Sequence, residues 1–236
     1  SKTQRLVGRY FEENGVAYVL PDNPRMTHEV VLQGDTQGAT HGQFVEVKIV
    51  SQPNHRSLAV AELTAILGDH LAPGLEIDIA LRNFDIPHLW PNEVSEQAAN
   101  ISPQVTEADK VGRVDLRNLA LVTIDGEDAK DFDDAVYAEK RAGGGYRLVV
   151  AIADVSHYVR PDSPLDIEAK HRSTSVYFPG FVVPMLPEVL SNGLCSLKPN
   201  VDRLCMVCDM TISRAGRVTG SQFYEAVMHS QARLTY

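Results

Sequence analysis

The chain has three cysteines and one tryptophan in 236 residues, and it has no uncharged apolar run near the ~18 residues a membrane-spanning helix needs. Three is an odd count, which argues against a disulfide framework. The N-terminal SKTQRLVGRYFEEN lacks the apolar middle of a secretory signal, so the expected location is cytoplasmic, with no membrane partner. Cys205 and Cys208 are spaced C-x-x-C, but they lie in RLCMVCDMTI, an apolar stretch that reads as a strand. Residues three apart on a strand face opposite sides, so the pair is expected to be structural thiols and not metal ligands.

Positive charge is also in deficit. The formal net charge is −9, a field that on its own repels a polyanion. Its distribution alters the conclusion. Residues 70–110 carry 7 acidic and 2 basic side chains, and the ten residues from Asp125 to Asp134 carry six acids and Lys130. Each segment is therefore net −5, and the remainder is close to neutral. Composition neither demands nor excludes a nucleic acid.

What is present is a series of short alternating runs. RLVGRY, GVAYVLP, HEVVL, QFVEVKIV and LAVAELTAIL are separated by turn signals at Asn14-Gly15, Pro21-Asp22-Asn23-Pro24, Gly34-Asp35 and His41-Gly42. They predict a small antiparallel β-barrel over residues 1–69. Tyr18 stands where an oligonucleotide-binding barrel would place a stacking aromatic, with Tyr10 and Phe11 one strand earlier. Filling the barrel core is the competing role for these rings. Residues 70–110 contain four prolines and two helix-like stretches, Leu75–Arg82 and Asn92–Asn100, and read as a helical linker. From 111 to 236 the pattern is mixed α+β. DAVYAEK and YRLVVAIAD flank RAGGG as a hairpin, and RLCMVCDMTI pairs with RVTGSQFYEAVM. Short helices are predicted at Asp166–Arg172 and at Pro187–Asn192, the latter ended by Gly193.

The segment VTIDGEDAKDFDDAV concentrates carboxylates where a strand ends and a hairpin begins. Like charges this close repel by about 1 kcal/mol per pair at ~4 Å even in bulk water, so a counter-cation is expected. Hard oxygen ligands favour Mg²⁺, with Mn²⁺ as the alternative. A calcium-binding hand is excluded, because counting from Asp125 its obligatory sixth-place glycine is Lys130. Asp125 closes the apolar strand, whereas Asp131, Asp133 and Asp134 occupy the turn into the next. Neighbouring strand residues face opposite ways, so Asp133 and Asp134 are not expected to bind one ion together. Glu127 and Asp128 are expected to face solvent. Asp154, roughly opposite Asp134 in the hairpin, is either a further ligand or a local backbone cap. His157 is expected to be structural.

The runs DLRNLALVTIDGEDAKDFDDAV, IADVSHYV, TSVYFPGFVVPMLPEVLSNGLCSL and DRLCMV closely resemble the start of the catalytic domain of the ribonuclease II/R family. The preceding barrel and linker resemble that family's second cold-shock domain and connector. The resemblance implies a Mg²⁺-dependent, processive exonuclease that degrades single-stranded RNA from its 3′ end to nucleoside 5′-monophosphates. The family's four essential aspartates fall on Asp125, Asp131, Asp133 and Asp134, and the aromatic that packs on the terminal nucleotide falls on Tyr177. Family members continue beyond the point where HSQARLTY ends this sequence. The resemblance therefore implies a portion of such an enzyme, the alternative being a non-catalytic RNA- and metal-binding fragment.

Overall fold

A computed structural model describes residues 5–23, 26, 28–54, 57–69 and 74–236. Two positions used above as turn or linker signals, Pro24 and Pro73, lie outside the described residues. The chain divides into two compact units, Ser1–Leu89 and Trp90–Tyr236.

In the first unit, β1 (Arg5–Glu13), β2 (Val16–Pro21), β3 (Val30–Leu32), β4 (Phe44–Ser51) and β5 (Ala59–Gly68) close into a barrel of order β1-β2-β3-β5-β4. Alternation sends Leu6, Tyr10, Val19, Val45, Val47, Ala61 and Leu63 inward. The barrel departs from the all-antiparallel expectation at one seam, where β3 and β5 run parallel. An odd number of strands cannot alternate direction around a closed circuit, so five strands require such a seam. The first helix, α1 (Leu75–Asn83), turns Leu75 and Ile79 against Val7 and Phe44 of the barrel.

The second unit is built on a seven-stranded sheet, in which we distinguish β6 (Val114–Asp115), β7 (Val122–Asp125), β8 (Asp134–Lys140), β9 (Tyr146–Ala153), β12 (Arg203–Ile212), β13 (Val218–Met228) and β14 (Ala232–Thr235). Their order is β14-β7-β8-β9-β12-β13-β6. Both predicted hairpins form, β8 with β9 and β12 with β13. Parallel pairs, β7–β14 and β13–β6, finish the two edges. One sheet face supplies Ala135, Val149, Ala151, Cys205, Val207 and Ala226 to a core shared with Leu165, Leu190, Leu194 and Leu197. Helix α2 (Asn92–Ala99) packs on α4 (Pro164–Arg172), where the Gln97 side chain accepts a hydrogen bond from the Leu165 amide at 3.0 Å. The stretch expected to be one linker is thus divided: α1 belongs to the barrel and α2 to the second unit.

Two local details differ from expectation. Helix α4 starts two residues earlier than predicted, with Pro164 at its first position and the Ser163 hydroxyl accepting from the Asp166 amide. Gly193 does break the helical conformation, with φ −108° and ψ −106°, but a hydrogen-bonded turn bridges the kink. The chain forms a wide turn over Leu190–Leu194, in which the Cys195 amide reaches the Leu190 carbonyl at 2.9 Å. Leu190 and Leu194, on either side of the kink, are both buried.

The RAGGG loop needs its last glycine. Gly145 has φ +79°, and a Cβ there would lie 2.2 Å from the Ile212 carbonyl oxygen of β12. Gly145→Ala is expected to destabilise the second unit by roughly 2–4 kcal/mol, from a left-handed backbone and a forced backbone shift together. Denaturant unfolding followed in that unit checks this.

Candidate functional site

The aspartates are placed by backbone anchors and not by one another. Asp125 is the last residue of β7 and Asp134 the first of β8. Between them the chain leaves the sheet and is pinned by Phe132, whose ring is 5% exposed. Burying such a ring contributes about 1.5–3 kcal/mol. The Phe132 amide donates to Ser196 Oγ at 3.1 Å, and Ser196 Oγ donates to the Lys130 carbonyl at 2.8 Å. The Leu197 amide reaches the Phe132 carbonyl at 2.8 Å, and the Ala153 amide reaches the Asp133 carbonyl at 2.9 Å. Ser196 is held in turn through its carbonyl, which accepts from Arg203 Nε at 2.7 Å.

This scaffold sets the carboxylates within electrostatic reach of one another. The Asp125 pKa is raised, first by desolvation and then by Asp134, with Arg233 opposing. Asp133 is accessible to solvent, yet its pKa is raised as well, by desolvation and then by Asp131, Asp134 and Asp125. The strongest neighbour of Asp125 is Asp134, and that of Asp133 is Asp131. All three of the other aspartates thus act on Asp133, and Asp134 and Asp131 both act on Asp125. Glu127 and Asp128 are exposed, as expected.

Does this set suit a divalent cation? Among the described residues, no group of three or more His, Cys, Asp or Glu side chains stands ready to hold a metal ion. The donor chemistry nevertheless fits one. Asp125 Oδ2 is buried with no hydrogen-bond partner, and its neighbouring charges are negative apart from Arg233. An acceptor oxygen buried in that setting is relieved by a cation. Mg²⁺ in particular is held by one or two carboxylates together with waters and substrate phosphates, not by an all-protein cage.

Tyr177 lies in β10 (Val176–Phe178), which forms a two-stranded ribbon with β11 (Phe181–Val183). The residue is 62% exposed, and its hydroxyl donates to Asp131 Oδ2 at 2.5 Å. That bond is the first cause pushing the Tyr177 pKa up to about 12. Tyr177 and Asp131, both singled out by the family resemblance, therefore meet directly. Arg172 supports the ribbon, donating to the Pro184 carbonyl at 3.1 Å and to Glu168 at 2.8 Å, with its guanidinium 3.4 Å from the Trp90 ring centre.

Asp154 does not join the quartet. It is buried and forms a 2.6 Å ion pair with Arg113, and it accepts from Ser156 Oγ at 2.7 Å. His157 is structural, bridging Asp109 at 3.1 Å and Arg113 at 3.3 Å. Of the cysteines, Cys195 and Cys205 are buried, with their thiols pushed up to about 12 by desolvation, and Cys208 is half-buried.

In the barrel, the competing roles for the aromatics divide. Tyr10 is 1% exposed and fills the core. Tyr18 is half-buried on the barrel wall, stacked across the strands on Phe11 at 5.7 Å, and Phe11 meets His41 edge-on at 4.9 Å. His41 carried no motif and was not anticipated. Sequence reasoning also missed Ser196 and Arg233. Arg233 donates to the carbonyls of Gly126 and Glu127 and lies 5.1 Å from the Phe132 ring centre. Ser196 could have been suspected, since it stands in the run SNGLCSL; Arg233 depends on the parallel β7–β14 pairing, which no local signal reveals.

The RNB domain pattern matches residues 113–236, more than half of the chain. The chain belongs to the RNB-domain family. A cold shock domain pattern matches residues 18–91. Ribonuclease R of Escherichia coli strain K12 is 59% identical over 236 residues, covering 100% of this chain and 29% of that protein. The structure of Mycoplasma genitalium RNase R in complex with double-stranded RNA superimposes with a TM-score of 0.89 at 33% identity, over 98% of this chain and 41% of that one. Yeast Ssd1, a pseudonuclease, shares the fold at a TM-score of 0.75 and 19% identity over 100% of this chain and 31% of its own. The chain spans about three-tenths of the length of its ribonuclease R relatives. Fold alone does not decide activity within this architecture, so the site must.

The Asp154–Arg113 pair yields a pH prediction. Burial by itself would raise the Asp154 pKa, but hydrogen bonds from Ser156 and Arg113, with the Arg113 charge, hold it below the usual range. Its stabilisation is therefore present above the unfolded value near ~3.9 and is lost as pH falls through the folded one. Asp154→Asn is expected to cost roughly 3–5 kcal/mol at neutral pH and to flatten the acid limb of the stability profile. Denaturation at pH 7 and at pH 3 measures both.

Proposed function

We propose that this chain is the cold-shock-like and metal-bearing portion of a Mg²⁺-dependent, processive 3′→5′ exoribonuclease. Its substrate is single-stranded RNA, its products are nucleoside 5′-monophosphates, and it works in the cytoplasm. The observation that carries this reading is the gathering of Asp125, Asp131, Asp133 and Asp134, mutually coupled, where Tyr177 reaches Asp131. The identity to ribonuclease R relatives, and the absence of a membrane-crossing helix among the described residues, support it.

The residues divide the work. Asp125, Asp131, Asp133 and Asp134 would hold Mg²⁺, or Mn²⁺ in its place. When bound, the metal supplies Lewis acidity at the scissile phosphate and lowers the cost of charge on the departing 3′ oxygen. The Tyr177 ring packs on the last base and so fixes which phosphate lies over the carboxylates; its part is positioning, not proton transfer. Arg233 stays committed to loop carbonyls and balances part of the charge at Asp125. In the barrel, the Tyr18–Phe11 stack offers a face to upstream bases, at roughly 1–3 kcal/mol per stacked base.

A second reading is a non-catalytic RNA- and metal-binding fragment. It draws on the match of residues 18–91 to a cold shock domain, which binds without cleaving. One assay separates the two: 3′-labelled single-stranded RNA with Mg²⁺, given to this chain and to a version extended to the length of its relatives. Mononucleotide release by the extended protein is expected, with Asp133→Asn lowering turnover at least ~100-fold. Undiminished turnover in that variant removes Asp133 from the site, and RNA binding without product in both proteins favours the second reading.

A further inference from the structure

The Tyr177 ring and the Tyr177 hydroxyl do different things. A phenylalanine would suffice to pack against a base, and the ring is exposed enough to do so. The hydroxyl is spent on Asp131 Oδ2, at 2.5 Å. Both ends of that bond rest on independently fixed backbone. On the Asp131 side, Ser196 clamps the chain at Lys130 and Phe132. On the Tyr177 side, the Met185 amide donates to Ser175 Oγ at 3.0 Å across the open end of the ribbon. The Phe178 and Phe181 rings meet at 6.3 Å near its tip, and Arg172 ties Pro184 to α4. The contact is therefore built into the fold and does not depend on a loosely held loop.

We infer that the Tyr177 hydroxyl is a positioning group for Asp131, so that one side chain links the seat of the RNA terminus to a carboxylate of the cation site. A donor on one carboxylate oxygen fixes the carboxylate plane and leaves the other oxygen directed for a ligand, and outer hydrogen bonds of this kind tune metal affinity. Displacement of the ring by a poorly seated terminus would then loosen Asp131 as well, making cation retention depend on correct seating. This inference rests on the reading that the four aspartates hold Mg²⁺.

The test compares this chain with its Tyr177→Phe and Tyr177→Ala variants, using Mg²⁺ alone as the calorimetric probe and single-stranded RNA without divalent cation as the second. Tyr177→Phe is expected to weaken Mg²⁺ binding about tenfold, in line with the loss of an outer-shell hydrogen bond. It should leave RNA affinity within about twofold, because the stacking ring is kept. Tyr177→Ala should weaken both. Mg²⁺ affinity in Tyr177→Phe equal to that of the unaltered chain overturns the inference and leaves the proposed function standing. No Mg²⁺ binding by the unaltered chain overturns both.

Discussion

Asp125, Asp131, Asp133 and Asp134, at the end of β7, in the loop and at the start of β8, repel one another, and the loop is anchored chiefly by contacts at Lys130 and Phe132. Phe132 is driven into the core, and the Ser196 hydroxyl stands between the Phe132 amide and the Lys130 carbonyl, satisfying both. Without these two anchors the carboxylates would relax toward solvent, since nothing in their mutual interaction favours proximity. Raised pKa values at Asp125 and Asp133 are the trace of that constraint, desolvation and like charge acting together. A site poised in this way has its electrostatic cost met by the fold in advance and gains when a cation arrives.

The remainder of the second unit serves the same constraint at one remove. Arg203 fixes the carbonyl of Ser196, and the wide turn over Leu190–Leu194 presents that residue to the loop. The stack of Trp90, Arg172 and Glu168 joins α4 to the ribbon that carries Tyr177. Arg203 and Arg172 therefore each tie a backbone carbonyl of another segment into place, which is how a rigid scaffold holds groups that would otherwise separate.

Much of this could be read from the residues. Period-two alternation with glycine-rich turns located the barrel strands and both hairpins, because local pairing is written locally. The parallel seam of β3 with β5 and the edge pairs β7–β14 and β13–β6 escaped, since each joins segments remote in sequence. Gly193 was legible as a helix breaker, and its backbone is non-helical; the turn that continues past it to Leu194 was not. The acidic cluster was legible from charge density, but the choice of four aspartates within it drew on strand and turn geometry and on the family resemblance; Tyr177 was singled out only through that resemblance, being by pattern one more aromatic beside Phe178. Asp154 was ambiguous until Arg113, 41 residues away, proved to be its partner. Contacts of that kind are set by tertiary packing and leave no periodic signal.

We propose that the aspartate quartet, and not acidity in general, is where a divalent cation binds. Residues 70–110 provide an internal comparison, because they carry the same net charge of −5. Substoichiometric Mn²⁺, which shares the oxygen-ligand preference of Mg²⁺, can be followed by paramagnetic broadening of backbone amide resonances. Signals from residues 125–134 and Tyr177 are expected to be lost first, while those around Glu93, Glu96 and Glu107 persist. Equal loss in both acidic segments, or none in the first, would contradict the proposal.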